Sequence, residues 1–380
     1  MSLAPGVIRD SIVDFLRTVG RDASTDEIIA GIQIRIGQVP SSSVRSYLRL
    51  NTPKTFERTS RGRYRLKIDG HSSDHASVRD GNEAKAIEIG QACLYHADCF
   101  EWLENQKPAS IHAVVTDPPY GLVEYTAKET AKLRAGKGGI WRIPPSFDGH
   151  QRAPLPRFTV LNEEDRRELH VFFKRFGTLV ARAAVPGANV VIASNPLLAH
   201  IVAAAMAQAG LELRGYIARQ VMTMRGGDRP KNAHHEFEGV SVMPRSQWEP
   251  WVVLRTPLDG RVQDNLRRWK TGGFRRPSAD RPFGDVIRSH PTPATEKRIA
   301  AHPSLKPQAF MRQLVRAVLP LGEGTVLDPF MGAGSTLAAA NAVGYTSIGV
   351  ELDKHFFDLA TGAVPKLAEI PVKASDASSL

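Results

Sequence analysis

The pattern of hydrophobic and polar residues over positions 1–68 predicts three helices followed by a β-hairpin. Apolar residues recur at helical spacing from Val7 to Leu16, which indicates the first helix. The second helix follows residues 24–27, whose serine and acidic side chains are typical of a helix N-cap. A third helix follows the polar stretch 40–43, and the alternation over 56–66 predicts the hairpin.

Three helices and a basic hairpin are the elements of a winged helix-turn-helix domain. In that fold the third helix enters the major groove of DNA and the hairpin touches the backbone. The candidate DNA contacts are Arg45 and Arg49 on the third helix and Arg61 and Arg63 in the hairpin. The alternative is a wing that docks another protein and whose arginines are solvated.

The composition changes after residue 68. Residues 69–89 are mainly polar with few large apolar side chains, which predicts a linker. From 90 to 380, strand-like and helix-like segments alternate, which is typical of an α/β sheet. The clearest strand-like runs are 111–116, 188–193, 325–327 and 347–350, and the clearest helical ones are 197–209 and 310–318. Between 222 and 300 the pattern gives way to a loop-rich stretch with many Arg, Pro and Gly residues.

The charge balance narrows the class of partner. Fifty Lys and Arg residues against 39 Asp and Glu residues give a formal net charge of +11, which favours a polyanion, nucleic acid first. The two cysteines, Cys93 and Cys99, are too few for a four-cysteine zinc site or a disulfide scaffold, and a cluster with His96 lacks a fourth ligand, so we expect no metal. No apolar run has the length of a transmembrane helix, and no signal peptide is visible, so we expect a cytoplasmic protein without a membrane partner.

The segment Asp117-Pro118-Pro119-Tyr120 directly follows a strand-like run. In an open α/β sheet, ligands bind in the loops after the carboxyl ends of the strands. The prolines remove backbone donors, so the segment offers acceptors, the Asp117 carboxylate and the carbonyls, beside the aromatic face of Tyr120. Such a set suits a planar ring with an exocyclic amino group. The alternative is a strand-ending turn in which the aspartate is a cap.

A second motif, residues 326–336, has the pattern of a strand, a glycine loop and a helix. Gly332 and Gly334 permit close backbone approach, and the helix N-terminus stabilises a nearby negative group. The motif is not a P-loop, because no lysine follows the last glycine, and leucine replaces the third glycine of a dinucleotide fingerprint. Asp328 ends this strand and Glu351 ends the next, where an acid typically takes ribose hydroxyls. These features match an adenosine ligand without a pyrophosphate.

Together, the two motifs resemble those of amino-methylating DNA methyltransferases. Residues 117–120 resemble the catalytic motif and residues 328–336 the S-adenosylmethionine motif, in the order of the beta group of these enzymes. Residues 302–307, His-Pro-Ser-Leu-Lys-Pro, are similar to the histidine-proline-x-x-lysine-proline segment of that group. Residues 95–100 resemble the segment before the catalytic strand, whose aspartate faces the cofactor's adenine. The resemblance covers about residues 90–365.

The resemblance implies a Rossmann-like mixed-sheet domain that methylates an amino group on a base flipped out of double-stranded DNA. In such a site Asp117 and the Pro118 carbonyl accept the amino hydrogens, Pro119 completes the turn, and Tyr120 stacks on the base. We therefore expect the two motif loops to converge. The implied cofactor is S-adenosylmethionine, and its implied contacts are Asp98, Lys306, Asp328, Phe330, Gly332, Gly334, Ser335, Thr336 and Glu351.

Residues 222–300 are the predicted target-reading surface. Arginine can read guanine edges, and arginine or lysine can hold phosphates. The candidates are Arg225, Arg229, Lys231, Arg268, Lys270, Arg275 and Arg276. The alternative is an ordinary solvated loop surface.

Several functional alternatives stay open. Aspartate at position 117 favours N6-adenine methylation, because cytosine N4 enzymes of this resemblance more often carry serine there, and N4-cytosine methylation is the first alternative. A winged-helix regulator with a vestigial catalytic domain is a second, against which the intact motifs argue. RNA and protein-amide methylation are disfavoured by the helix-turn-helix and by Asp117. A homodimer and a separate restriction endonuclease are further partners that the sequence leaves open.

Overall fold

The computed structural model describes residues 7–19, 21–37, 39, 41, 44, 45, 48, 52, 56–60, 62–66, 86–119, 146, 147, 150, 151, 162–222 and 226–372. The chain divides into two compact units, Met1–Gly81 and Asn82–Leu380, and the boundary lies in the segment predicted as a linker. No helix in these described ranges has the length and apolar character that crossing a membrane requires.

In the first unit, two helices pack with a small antiparallel sheet. The elements are α1 (Val7–Val19), β1 (Ala23–Ser24), α2 (Thr25–Ile36), β2 (Phe56–Ser60) and β3 (Arg63–Leu66), and the sheet order is β1-β3-β2. α2 begins where the sequence predicts, because Ser24 and Glu27 form a reciprocal capping box. The core is apolar and includes Ile12, Leu16, Ile28, Ile32, Val44, Leu48 and Phe56.

The winged helix-turn-helix assignment stays a prediction, because its third helix is only partly described. Two of its candidate DNA contacts lie outside the described residues, Arg49 and Arg61. Arg45 is exposed, with its guanidinium 3.8 Å from Asp26. Arg63 Nε donates to Asp22 Oδ2 at 2.9 Å, and this bond lowers the pKa of the Asp22 carboxyl. Arg63 is therefore paired within the unit.

The second unit is built on one large mixed sheet. Its strands are β4 (Ile87–Ile89), β5 (Ala92–His96), β6 (Ile111–Thr116), β9 (Ala184–Ala193), β10 (Glu212–Gln220), β11 (Trp248–Arg255), β12 (Val286–Arg288), β13 (Thr325–Asp328) and β14 (Thr346–Glu351). A separate two-stranded sheet holds β7 (Ser146–Phe147) and β8 (His150–Gln151). The helices are α3 (Cys99–Glu104), α4 (Glu163–Ala183), α5 (Ala199–Gln208), α6 (Val262–Trp269), α7 (Ala294–Ile299), α8 (Gln308–Val318), α9 (Ser335–Val343) and α10 (Lys354–Ala368).

Strand direction makes the two edges of this sheet different. The order is β12-β10-β11-β9-β6-β13-β14-β5-β4, and β11 and β4 run antiparallel to the other strands. We call the edge at which β6, β10 and β13 end, at Thr116, Gln220 and Asp328, the carboxyl edge. The opposite edge, where these strands begin, is the amino edge.

The sheet is buried on both faces. Along β9, Val190 and Ile192 join the core formed with α4 and α5, whereas Val191 and Ala193 join the core formed with α8. Successive side chains of a strand point to opposite faces, so a strand covered on both sides is apolar at every position. This explains why the strand-like runs of the sequence could be predicted without an alternating pattern.

The prediction of a loop-rich stretch over 222–300 is wrong for its middle. β11 is an internal strand between β10 and β9, with Trp251 and Val252 fully buried. Pro250 explains the error, because a proline normally argues against an internal strand. Here the Pro250 carbonyl still accepts a hydrogen bond from Ser194 N at 2.8 Å.

Candidate active site

The two sequence motifs meet at the carboxyl edge. β6 and β13 are neighbouring parallel strands, with Ala113 opposite Val326, so the turns that follow them leave the sheet side by side. Thr116 Oγ1 donates a buried hydrogen bond to Asp328 Oδ1 at 2.7 Å, although 212 positions separate the two residues. The expected convergence of the two loops is therefore confirmed.

Asp328 fixes the turn that follows β13. Its side chain is buried, and burial raises the pKa of the carboxyl to about 6 although hydrogen bonds from Thr336 and Thr116 lower it. Phe330 N donates to the same Oδ1 atom at 3.2 Å. A single carboxylate oxygen thus joins the end of β6 to the start of the glycine turn.

The glycine turn needs glycine at two positions. Gly332 has φ 50° and Gly334 has φ 80°, which disfavours any residue with a Cβ atom. A Cβ on Gly334 would lie 2.4 Å from Val364 Cγ2, and one on Gly332 would lie 3.0 Å from His302 Nε2. The backbone of the turn therefore lies directly against α10 and against the histidine of the 302–307 segment.

His302 presents one ring nitrogen to this turn. Its Nδ1 accepts a hydrogen bond from Ser304 N at 3.1 Å, so in the neutral ring the proton is on Nε2, the atom nearest Gly332. Burial lowers the pKa of His302, although the Asp117 charge raises it, which favours this neutral form.

Two further acids stand at the ends of β14 and β5. Glu351 Oε2 accepts from Gly332 N at 2.9 Å and Oε1 accepts from Asp353 N at 2.8 Å. Burial raises the pKa of the Glu351 carboxyl, and these backbone donors oppose the shift. Asp98 is the N-cap of α3, and its Oδ1 accepts from Phe100 N at 2.8 Å. Both acids line the same edge as Asp328.

The other predicted cofactor contacts lie around the glycine turn. The Phe330 ring packs 5.4 Å from the ring of Phe176. Ser335 begins α9, and its Oγ accepts from the backbone nitrogen of Lys306 at 3.3 Å. Thr336 Oγ1 donates to a carbonyl of β6 at 3.4 Å. The structure therefore gathers all nine residues at one edge, and their role in binding a cofactor stays a prediction.

Lys306 lies beside Asp117. Its Nζ is 2.6 Å from Asp117 Oδ2 and 3.6 Å from Glu249 Oε1, with the lysine side chain 13% exposed. Burial lowers the pKa of this ammonium, but the charges of the two carboxylates and the hydrogen bond to Asp117 outweigh burial and raise it. The side chain that the sequence assigned to the cofactor thus contacts Asp117, the predicted catalytic carboxylate.

Sequence reasoning missed Glu249 and its partner Arg219. The two face each other across β10 and β11, and Arg219 NH1 donates to Glu249 Oε2 at 3.2 Å. Glu249 Oε1 also accepts from Trp251 Nε1 at 2.9 Å. One signal was available in the sequence. Glu249 lies in the strand-like run 248–255, two positions before a tryptophan, and the preceding run contains Arg219. Opposite charges on two adjacent strands indicate a cross-strand pair.

One part of the predicted target-reading surface lies at the carboxyl edge. Residues 221–247 connect the end of β10 to the start of β11, where Gln220 pairs with Trp248. Within this segment Arg229 is half-buried and Lys231 is exposed. Two further predicted site residues, Tyr120 and Arg225, lie outside the described residues.

The other part lies at the amino edge, because β11 runs antiparallel to its two neighbours and therefore ends at that edge. Arg268 pairs with Asp259 at 2.8 Å. Arg275 NH1 donates at 2.7 Å to the hydroxyl of Tyr345, the residue before β14. Lys270 ends α6, and Arg276 NH1 donates to the Ala279 carbonyl. The structure does not bring these four basic residues to the catalytic turn.

The chain is similar to known DNA methyltransferases over most of its length. The DNA methylase family model, N6_N4_Mtase, matches residues 111–362. The Type II methyltransferase M2.DpnII of Streptococcus pneumoniae is 23% identical over 267 residues, 70% of this chain and 87% of the relative. The Type II methyltransferase M2.LlaDCHI of Lactococcus lactis subsp. cremoris is 23% identical over 274 residues, 72% of this chain and 89% of the relative.

Two solved structures are similar over most of the chain. The M1.HpyAVI complex with S-adenosylmethionine has a TM-score of 0.44 and 18% identity, and the match covers 73% of this chain and 100% of that one. The cytosine-N4-specific PvuII DNA methyltransferase has a TM-score of 0.46 and 14% identity, and the match covers 76% and 89%. Because the family model spans more than half of the residues and both motif turns, this chain belongs to the N6-adenine/N4-cytosine DNA methyltransferase family.

Proposed function

We propose that this protein transfers a methyl group from S-adenosylmethionine to the N6 amino group of an adenine flipped out of double-stranded DNA. The observation that carries the proposal is the buried bond from Thr116 to Asp328, which fixes the Asp117 turn beside the glycine turn. A target held by the first turn would therefore lie next to a ligand held by the second.

The residues around the glycine turn fit an adenosine-bearing sulfonium cofactor. Asp98 and Glu351 are acceptors oriented by backbone donors, as ribose hydroxyls and an adenine amino group require. Each oxygen of the Glu351 carboxylate has more than one acceptor position, so its backbone bonds leave capacity for a ligand hydroxyl. When bound, S-adenosylmethionine supplies an electrophilic methyl group on a positively charged sulfur.

Asp117 and the Pro118 carbonyl act on the target nitrogen. The lone pair of an exocyclic amine is delocalised into the ring, so the amine is a weak nucleophile. Acceptors for both amino hydrogens favour a pyramidal nitrogen whose lone pair points at the methyl carbon. In the proposed transfer that lone pair would form the new nitrogen–carbon bond while the carbon–sulfur bond breaks and its electrons go to the sulfur of the leaving thioether, and the nitrogen would then lose one proton to solvent. The carboxylate stabilises the positive charge that the nitrogen gains in the transition state.

The segment 221–247 is the proposed target-reading surface. It starts and ends at the carboxyl edge, and backbone bonds hold it together, such as Val242 N to the Asp228 carbonyl at 2.7 Å. Arg229 and Lys231 supply positive charge within this segment. In the first unit, Arg45 stays a proposed phosphate contact.

Sequencing of methylated bases in DNA from cells that express the chain tests this function. We expect N6-methyladenine at one sequence context, and none in cells that express the Asp117→Ala variant. N4-methylcytosine in place of N6-methyladenine would support the alternative target, because Asp117 is an acceptor for either amino group. Unmodified DNA, with soluble and cofactor-binding protein, would contradict the proposal.

A further inference from the structure

Four charged side chains form a row along the carboxyl edge, from the catalytic turn to β10. Asp117 contacts Lys306, Lys306 lies 3.6 Å from Glu249, and Glu249 accepts from Arg219. The signs alternate, so the row as a whole carries no net charge. Arg219 is 5% exposed, and the side chains of Lys306 and Glu249 are 13% and 20% exposed. Because the row is this well buried, the position of each charge affects its neighbours strongly.

The ammonium of Lys306 conflicts with the proposed chemistry at the position where it lies. It donates to Asp117, the carboxylate that is proposed to accept an amino hydrogen of the target base. It also places a positive charge beside a nitrogen that becomes positive in the transition state, and like charges at short range in a dry site repel strongly. The transferring complex therefore requires the ammonium to bind elsewhere.

Glu249 offers that second position. We infer that the Lys306 ammonium occupies the place of the target amino group on Asp117 and moves to Glu249 when the base enters. Glu249 is then a positioning residue that holds the displaced charge during methyl transfer. This inference rests on the proposed function and adds to it a role for three residues outside the two motif turns.

The anchors of this row indicate which group moves. Glu249 receives hydrogen bonds from Trp251 Nε1 and Arg219 NH1, so its carboxylate is held from two sides. Arg219 itself donates to Ser289 Oγ at 3.0 Å and to the His290 carbonyl at 2.9 Å. Lys306 has a flexible four-carbon side chain with three donor hydrogens. The lysine is therefore the member that can move, from Asp117 to the anchored carboxylate of Glu249.

The two carboxylates also keep the lysine charged. Both raise the pKa of Lys306 against the opposite effect of burial, so the moving group is an ammonium at neutral pH. Besides the four members of the row, the titratable groups that face it are His302 and Asp328. Burial and the nearby ammonium lower the pKa of His302, so it adds no positive charge above neutral pH.

Two single substitutions test the two ends of the movement. Glu249→Gln removes the second carboxylate, so the ammonium stays on Asp117, and we expect kcat to fall about 30-fold or more. Lys306→Met removes the ammonium itself, so nothing competes with the base for Asp117 and no second carboxylate is needed to hold a displaced charge. We expect it to be more active than Glu249→Gln, by about tenfold. The affinity for S-adenosylmethionine, measured by calorimetry, should change by less than about threefold in both variants, because neither residue binds the cofactor in this scheme.

The double variant Lys306→Met with Glu249→Gln gives the decisive comparison. It lacks the ammonium as well as the second carboxylate, so the loss of Glu249 should have little further effect in it. We expect it to be about as active as Lys306→Met and about tenfold more active than Glu249→Gln, which a purely structural role of these residues would not produce. Glu212→Gln is the matched control, because Glu212 pairs with Arg255 across the same two strands at the amino edge.

Additive losses in the double variant, with all variants folded by thermal melting, would overturn the inference. So would a large loss of cofactor affinity in Lys306→Met, which would place the lysine at the cofactor as the sequence resemblance implies. Failure of the proposed function has a different signature: the wild-type protein itself would transfer no methyl group to DNA. The inference is therefore tested only against a wild-type protein that is active.

Discussion

The two edges of the large sheet carry similar sets of charged residues, but the burial and the neighbours of those residues differ. Each edge has a segment with several basic residues and a charged pair that bridges β10 and β11. At the carboxyl edge the segment is 221–247 and the pair is Arg219 with Glu249, whereas at the amino edge the segment is 256–281 and the pair is Glu212 with Arg255. The Arg219–Glu249 pair is the more buried, and it is the one connected to Asp117 through Lys306.

Strand direction, and not composition, separates the two edges. β11 runs antiparallel to its neighbours, so the chain before it is at the carboxyl edge and the chain after it is at the amino edge. Basic residues at the amino edge are paired or bonded within the fold, as Arg268 is with Asp259. Basic residues on the two sides of this single strand therefore lie at opposite edges of the sheet.

The largest expected difference between the edges is in catalysis. Asp117→Ala at the carboxyl edge removes the proposed acceptor, and we expect methyl transfer to fall by at least about 10²-fold. The matched change at the amino edge, Asp259→Ala, removes a carboxylate that bonds Arg268 and Trp269, and we expect activity within about twofold of wild type because that site is far from the reacting atoms. Tritium transfer to DNA measures both variants. Retention of more than a tenth of the activity by Asp117→Ala would remove its assigned role.

Two glycines with positive φ, one near each edge, allow the cost of an added Cβ to the free energy of unfolding to be compared between the edges. Gly334→Ala at the carboxyl edge adds a Cβ 2.4 Å from Val364, so strain and overpacking together should cost about 2–4 kcal/mol. Gly210→Ala, before β10, has a φ of 97° but no atom within 4 Å of the added Cβ, and should cost only about 1–2 kcal/mol. Urea unfolding gives both values. Equal losses would show that packing of the glycine turn on α10 contributes little.

The two basic segments should differ in DNA affinity. Replacement of Arg229 and Lys231 by alanine removes two charges from the segment 221–247, and we expect about tenfold weaker binding and a salt slope smaller by about two. The double replacement of Arg268 and Lys270 changes the net charge equally at the amino edge. Fluorescence anisotropy at several salt concentrations compares them. The same loss in both variants would mean that net charge alone, and not position, determines DNA binding.

The smallest expected effect is the pH dependence of stability. The folded-state pKa of Asp328 is raised to about 6 by burial, so its protonated form favours folding, and that contribution disappears as the pH rises through 6. Asp328→Asn keeps an acceptor for Thr116 and removes the charge, so we expect a Tm a few degrees higher than wild type above pH 7 and little difference near pH 4. Asp264→Asn, on exposed α6, is the control and should show no such trend. A lower Tm for Asp328→Asn at all pH values would contradict this prediction.

Local patterns were sufficient to predict the catalytic turn. A buried run that ends in Asp117 and two prolines, and a second run that ends in Asp328 and a glycine loop, each carry their information within about ten residues. Their convergence was expected from the resemblance to DNA methyltransferases, and the Thr116–Asp328 bond confirms it.

Long-range pairing accounts for what the sequence could not predict. Pro250 concealed an internal strand, and without that strand the directions of the chain on either side were unknown. For the same reason Arg268 and Lys231 could not be assigned to different edges. The contact of Lys306 with Asp117 spans 189 positions, and no local pattern encodes it.

The β10–β11 hairpin makes the segment between its strands replaceable. Residues 221–247 leave the sheet and return to it at neighbouring positions, because Gln220, just before the segment, pairs with Trp248, just after it. A shorter, longer or unrelated segment can be inserted there without changing the register of any strand or the order in which the chain passes through the sheet. The segment can therefore be exchanged as a unit, in evolution or by design, while the carboxylates of Asp117 and Asp328 stay in place.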